Sequence, residues 1–188
     1  MLRITIPAIE LYDEETNTFF NSKEQVLQLE HSLISLSKWE SKWLKPFLSK
    51  EEKTIKETID YIRCMNINQN VDENVYNYML SENVYKNKAA DIINQIREYI
   101  DLEMTATTFS FEKKVTSREI ITAEIIYYWM IAMNIPFECQ KWHLNRLLTL
   151  INVCNIKNTS PKKMSRKEIN QRNSALNAAR KKALRSGG

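Results

Sequence analysis

The sequence predicts a mainly α protein with a small N-terminal β element. A helical body is built around a central antiparallel helical hairpin and followed by a basic C-terminal helical arm. Three observations predict it. Apolar residues alternate with period two only at the start, where Leu2 and Ile4 flank Arg3 and Thr5. From Leu36 onward they recur at helical spacing. After Asn155 aromatic residues stop, and Lys and Arg take over.

In chain order, the first strand ends near Pro7, and the DEETN run at 13–17 is a turn. Thr18-Phe19-Phe20 reads as a return strand and VLQLEH at 26–31 as a third, with the pairing left open. Leu36, Trp39 and Trp43 share a helix face that Pro46 ends. Ser49 to Glu52 has the spacing of a capping box, opening a helix with Ile55, Ile59 and Ile62 on one side. A short helix near 72–80 follows. Ala89, Ile92, Ile93, Ile96, Tyr99 and Ile100 then carry the cleanest helical period.

Residues 104–115 form a β-prone connector. Thr116 to Glu119 reads as a second capping box, opening a helix to about Met133. That helix is apolar nearly all round and is expected to be the central buried one. Asn134-Ile135-Pro136 makes a tight turn into a helix reaching about Asn155, with Phe137, Leu144, Leu147, Leu148, Ile151 and Cys154 inward. These two helices are the hairpin. Ser165 to Glu168 is a third capping box, before a narrow stripe of Ile169, Leu176 and Ala183.

Charge divides the chain in the same place. Residues 156–188 carry a net +9 against +4 for all 188 residues, so residues 1–155 carry −5. The expected domains are a body over 1–155, with a β-rich start at 1–31, and an arm over 156–188. Such a basic arm attracts nucleic acid by counterion release, or an acidic protein surface, including the body of a second copy. It holds no aromatic side chain on which a base could stack.

Composition closes several routes to catalysis. Both glycines are Gly187 and Gly188, so glycine-built phosphate loops, dinucleotide fingerprints and nucleophile elbows are absent. Turns then fall to Asn, which tolerates the left-handed region. Three cysteines without a CxxC read as reduced thiols of a cytosolic protein. The N-terminus turns acidic too soon for a signal peptide. The apolar run from Ile125 to Met133 is far below the roughly 20 residues of a spanning helix, so no membrane is expected.

Each candidate site has a structural reading beside the chemical one. Cys139 and His143 stand four residues apart on one expected helix. Zinc, however, asks for four ligands, and Glu30 and His31 lie far off in sequence. Cys139 and Cys154 are read as small apolar core groups and His143 as a hydrogen-bonded core border, with no metal and no cofactor. Glu124, amid ITAEIIYYW, needs a cation if buried, which His143, Lys141 or Arg146 of the partnering helix could supply. A buried ion pair joining the hairpin helices, Glu124–His143 first among them, is expected rather than a general acid or base. Nothing marks an activated thiol, so no enzyme is expected. Trp39 and Trp43, interleaved with Lys in SKWESKWLKPF, could stack bases of a single-stranded nucleic acid. At helical spacing, though, they read as a core or protein-contact stripe, and Trp142 with Arg146 as a stacked surface pair.

LEHSLISLSKWESKWLKPFLSKEEKT (29–54), MTATTF (104–109), SREIITAEIIYYWMIAMNIPFECQKWHLNRLLTLINVCN (117–155) and PKKMSRKEINQRNSALNAARKKAL (161–184) together resemble tailed-bacteriophage proteins of the tail assembly chaperone type. The resemblance spans most of the chain. It implies a largely helical, non-enzymatic protein of the host cell cytoplasm. Such a protein binds the tape measure protein during virion morphogenesis and keeps it soluble until tail tube protein replaces it. It also implies short and frameshift-extended forms, and offers no catalytic motif to carry over. On that reading, Trp39, Trp43, Trp142 and Arg146 on the body, with Ile169, Arg172, Leu176 and Arg180 on the arm, are the expected contacts. Two other readings stand beside it: a nucleic-acid-binding regulator acting through the arm, and a minor structural protein of the virion.

Overall fold

A computed structural model describes residues 1–13, 17–68, 70–80, 88–109, 120–158 and 166–184. The fold is mainly helical with a small antiparallel β element at the N-terminus. By backbone contacts the chain divides into Met1–Cys154 and Asn155–Gly188.

Among the described residues, four strands make two separate two-stranded ladders. β1 (Leu2–Ile6) pairs antiparallel with β4 (Gln25–Leu29), Leu2 opposite Leu29 and Ile6 opposite Gln25. Period-two alternation buries Ile4, Ile6, Leu27 and Leu29 on one face and leaves Arg3 and Thr5 in solvent. The free edge of β4 is closed by the segment after the second helix. Ile67 N–H donates to the Gln28 carbonyl at 2.9 Å, and Glu30 N–H donates to that of Met65 at 2.9 Å. Between them β2 (Ile9–Asp13) and β3 (Thr18–Ser22) form a hairpin, turned by Asn17 at φ 54°. Tyr12 and Phe19, directly opposite, contact each other at 4.8 Å between ring centres.

The helices are α1 (Leu33–Trp43), α2 (Ile55–Met65), α3 (Asn74–Leu80), α4 (Lys88–Asp101), α5 (Ala123–Ala132), a 3-10 helix (Phe137–Lys141), α6 (Leu144–Asn158) and α7 (Arg166–Leu184). Ser32 and Ser35 cap the start of α1 reciprocally. Leu44 ends it in the left-handed region, at φ 52°, in a stretch without glycine. The expected capping box at Ser49 does not form. Thr54 and Glu57 make it instead, with Thr54 N–H donating to Glu57 Oε2 at 2.7 Å. Only Lys50, Glu51, Glu52 and Lys53 lie between the two candidates, so an earlier start would bury nothing. The candidate box at Thr116 to Glu119 falls outside the described residues, and so does Ser165 of the one before α7.

Among the described residues, two hydrophobic clusters share α1 as a wall. The first gathers β1, β4, α2, α3 and α4 around Trp39, Tyr61, Met65, Tyr76 and Ile96. The second gathers Leu33 and Leu36 with Ala123, Ile126 and Met130 of α5 and Leu144, Leu147 and Ile151 of α6. The second arm of the hairpin is broken, unlike the single helix expected. After the turn at Asn134 (φ 54°), the 3-10 helix ends at Trp142, and Ser32 bridges to His143 before α6 begins. Cys139 and His143 therefore do not share one α-helix.

Candidate functional site

The outer face of α5 departs most from expectation. This helix is not buried all round: Ala123, Ile126 and Met130 face the core. Glu124, Tyr128 and Ile131, spaced i, i+4 and i+7 on another face, are exposed. Tyr128 is 66% and Ile131 60% accessible, with Ile120 at 61% just before the helix. Solvent on that face overturns the expected Glu124–His143 ion pair, because Glu124 keeps its hydration and His143 is buried with other partners.

Glu40 is one of three buried carboxylates among the described residues, with Glu57 and Asp60. Its Oε1 accepts from Phe47 N–H at 2.7 Å and its Oε2 from Ala123 N–H at 2.7 Å. Thr122, at the N-cap of α5, makes no side-chain cap bond. Glu40 thus supplies from α1 the anionic acceptor that the first turn of α5 lacks. No local pattern announces a cap supplied from so far along the chain.

Trp39 is not available as a contact surface. It is 1% accessible, its Nε1–H donates to the Glu57 carbonyl at 2.8 Å, and Phe47 packs edge-on at 5.0 Å. Trp43 stacks behind it at 6.2 Å and is half-buried against the first cluster. Trp39 is therefore core, one of the readings the sequence allows for the pair, and its burial removes it as a contact, while Trp43 is half-buried. Trp142 is half-buried against the second cluster, with the exposed Arg146 guanidinium 4.3 Å above its ring.

Histidines distant in sequence meet in space. The rings of His31 and His143 lie 5.0 Å apart, and Tyr99 packs edge-on to His143 at 5.0 Å. His31 Nδ1 shares a 2.5 Å hydrogen bond with the Tyr61 hydroxyl. His143 Nε2 lies 3.0 Å from the Tyr99 carbonyl, which can only accept, so Nε2 carries the proton. Its Nδ1 is buried with no partner among the described residues. Tyr99 in turn donates to Glu30 at 2.6 Å. Burial, then the neighbouring His143, lowers His31 to about 3, and burial lowers His143 as well. Burial also pushes Cys64 and Cys139 up, away from reactive thiolate. Among the described residues, no three His, Cys, Asp or Glu side chains converge as a metal site. Glu30 and His31 lie more than a hundred residues from His143 in sequence, and the Ser32–His143 bridge is what brings them together.

On α7, Ile169 and Leu176 are 42% and 45% accessible, and Arg172 and Arg180 are exposed. Among the described residues no helix is long and apolar enough to cross a membrane. No family model, curated protein or solved structure matches the chain.

Proposed function

We propose that this chain is a non-catalytic tail assembly chaperone, which covers apolar helical stripes of the tape measure protein until tail tube protein displaces it. The observation that carries this reading is the apolar outer face of α5, where Ile120, Tyr128 and Ile131 stay in solvent although both cores are complete without them. Large apolar side chains left exposed can mark a contact surface, and an amphipathic helix is the partner whose stripe fits beside a helix face. The family resemblance of the four quoted stretches supplies the partner's identity. Ile169 and Leu176, alternating along α7 with Arg172 and Arg180, offer a second, narrower stripe.

The test is co-expression with the tape measure protein of the same genome. The tape measure protein stays in the soluble fraction with this chain and precipitates without it. Equal precipitation in both cases sinks the proposal. A second reading, nucleic-acid binding, is favoured by the exposed Arg166, Lys167, Arg180 and Lys182 on α7. Binding through phosphate contacts weakens steeply with salt, whereas apolar docking does not. Recovery of the chain from purified virions would favour the third reading, a minor structural protein.

A further inference from the structure

A cleft of about 380 Å³ opens between the first half of α1 and the C-terminal end of α2. Ile34, Cys64, Met65 and Ile67 give it an apolar lining, and Lys38 and Lys141 stand in its wall. Neither lysine has an ion-pair partner among the described residues. Glu30, the carboxylate in the cleft, is already engaged by the Met1 amino group at 2.8 Å and the Tyr99 hydroxyl at 2.6 Å. The cleft therefore presents apolar surface beside two uncompensated cations, on a body that is net acidic overall.

Those features specify the occupant. An apolar group displaces water from the floor, and carboxylates beside it meet Lys38 and Lys141. Sites for small molecules enclose most of their ligand, whereas here Ile67 is 54% accessible. A side chain delivered from the surface of another protein fits such an open trough. We propose that this cleft seats an apolar side chain of an acidic amphipathic helix, with Lys38 and Lys141 pairing with the carboxylates that flank it. This rests on the protein-binding reading above and adds the chemical signature of the bound segment.

Two synthetic amphipathic helical peptides test it, sharing one Leu stripe and differing only in flanking Glu or Lys. Binding to the full chain is read by fluorescence anisotropy, and alkylation of Cys64 by N-ethylmaleimide is followed by peptide mass. The Glu peptide should bind about tenfold tighter than the Lys peptide and slow Cys64 alkylation. K38E/K141E should remove the Cys64 protection and weaken the preference for the Glu peptide, while circular dichroism stays unchanged. The basic arm can also attract the Glu peptide, so Cys64 protection is the deciding readout. Unprotected Cys64, equal affinity for the two peptides, absence of binding, or protection by a long-chain fatty acid alone would each overturn the proposal. Protection without tape measure solubilisation would strike only the partner's identity. Solubilisation without protection would strike only the cleft.

Discussion

Acid should weaken this fold well above the pH at which its carboxylates are protonated, and His31 and His143 are the reason. His31 is 2% accessible, and a proton on it would face the His143 ring at 5.0 Å. His143 has no acceptor for a proton on Nδ1 among the described residues. Both are neutral in the folded state, while the unfolded chain takes up protons near 6.5, the ordinary value. The unfolded state binds more protons between 6.5 and about 3 for His31, so stability is full above 6.5 and falls as pH drops through that window. Acidifying from about pH 7.5 to about 5.5 then removes about 1.4 kcal/mol through His31 alone, with His143 adding in the same direction.

Urea denaturation followed by tryptophan fluorescence at the two pH values measures this directly. Glu57 does not interfere: the Lys45 ammonium at 2.7 Å and Thr54 hold it at about 2, so its loss falls between 4.5 and 2. His31→Gln should be less stable at neutral pH, because the Tyr61 hydroxyl loses its partner, and should lose part of the pH slope. Equal wild-type stability at the two pH values, or an undiminished slope in H31Q/H143Q, would refute the neutral buried pair.

Three further outcomes follow from geometry. Glu40→Gln keeps one oxygen for two N–H donors, so melting should report a loss of about 1–3 kcal/mol; an unchanged melt would remove Glu40 as the cap of α5. Thr54→Ala should cost about 1 kcal/mol and Ser49→Ala close to nothing, which urea midpoints separate. Deleting 161–188 should abolish tape measure solubilisation and leave the body's far-UV spectrum per residue intact; retained solubilisation would exclude the arm.

What could be read from the sequence depended on how local its physics is. In α4 the period places Ile92, Ile93, Ile96 and Tyr99 on one side, and all four are buried. The alternation at 2–6 buries Ile4 and Ile6 in the same way. The α5 segment failed this test because residues 125–133 are apolar or aromatic at every angle, so no period shows which side the core takes. The Ser49 and Thr54 boxes have the same spacing, and only the next buried residue separates them. Glu40 and the His31–His143 contact are long-range, and neither leaves a mark in its own neighbourhood. Glu124, a carboxylate with an apolar neighbourhood in sequence, is exposed.

The two tryptophan-or-tyrosine readings of binding separate on stability. Trp39→Ala removes a ring that fills the first cluster and donates to Glu57, at a cost of about 3–5 kcal/mol. Any partner binding it loses is lost through unfolding. Y128E/I131E replaces side chains that are 66% and 60% accessible and belong to neither set of buried core residues, so the melt should move by no more than about 0.5 kcal/mol. Loss of tape measure solubilisation in that variant, at an unchanged melting temperature, assigns the partner to the outer face of α5. Solubilisation that survives Y128E/I131E and fails only in K38E/K141E would move the partner to the cleft between α1 and α2. The apolar exposure on α5 would then have no share in binding.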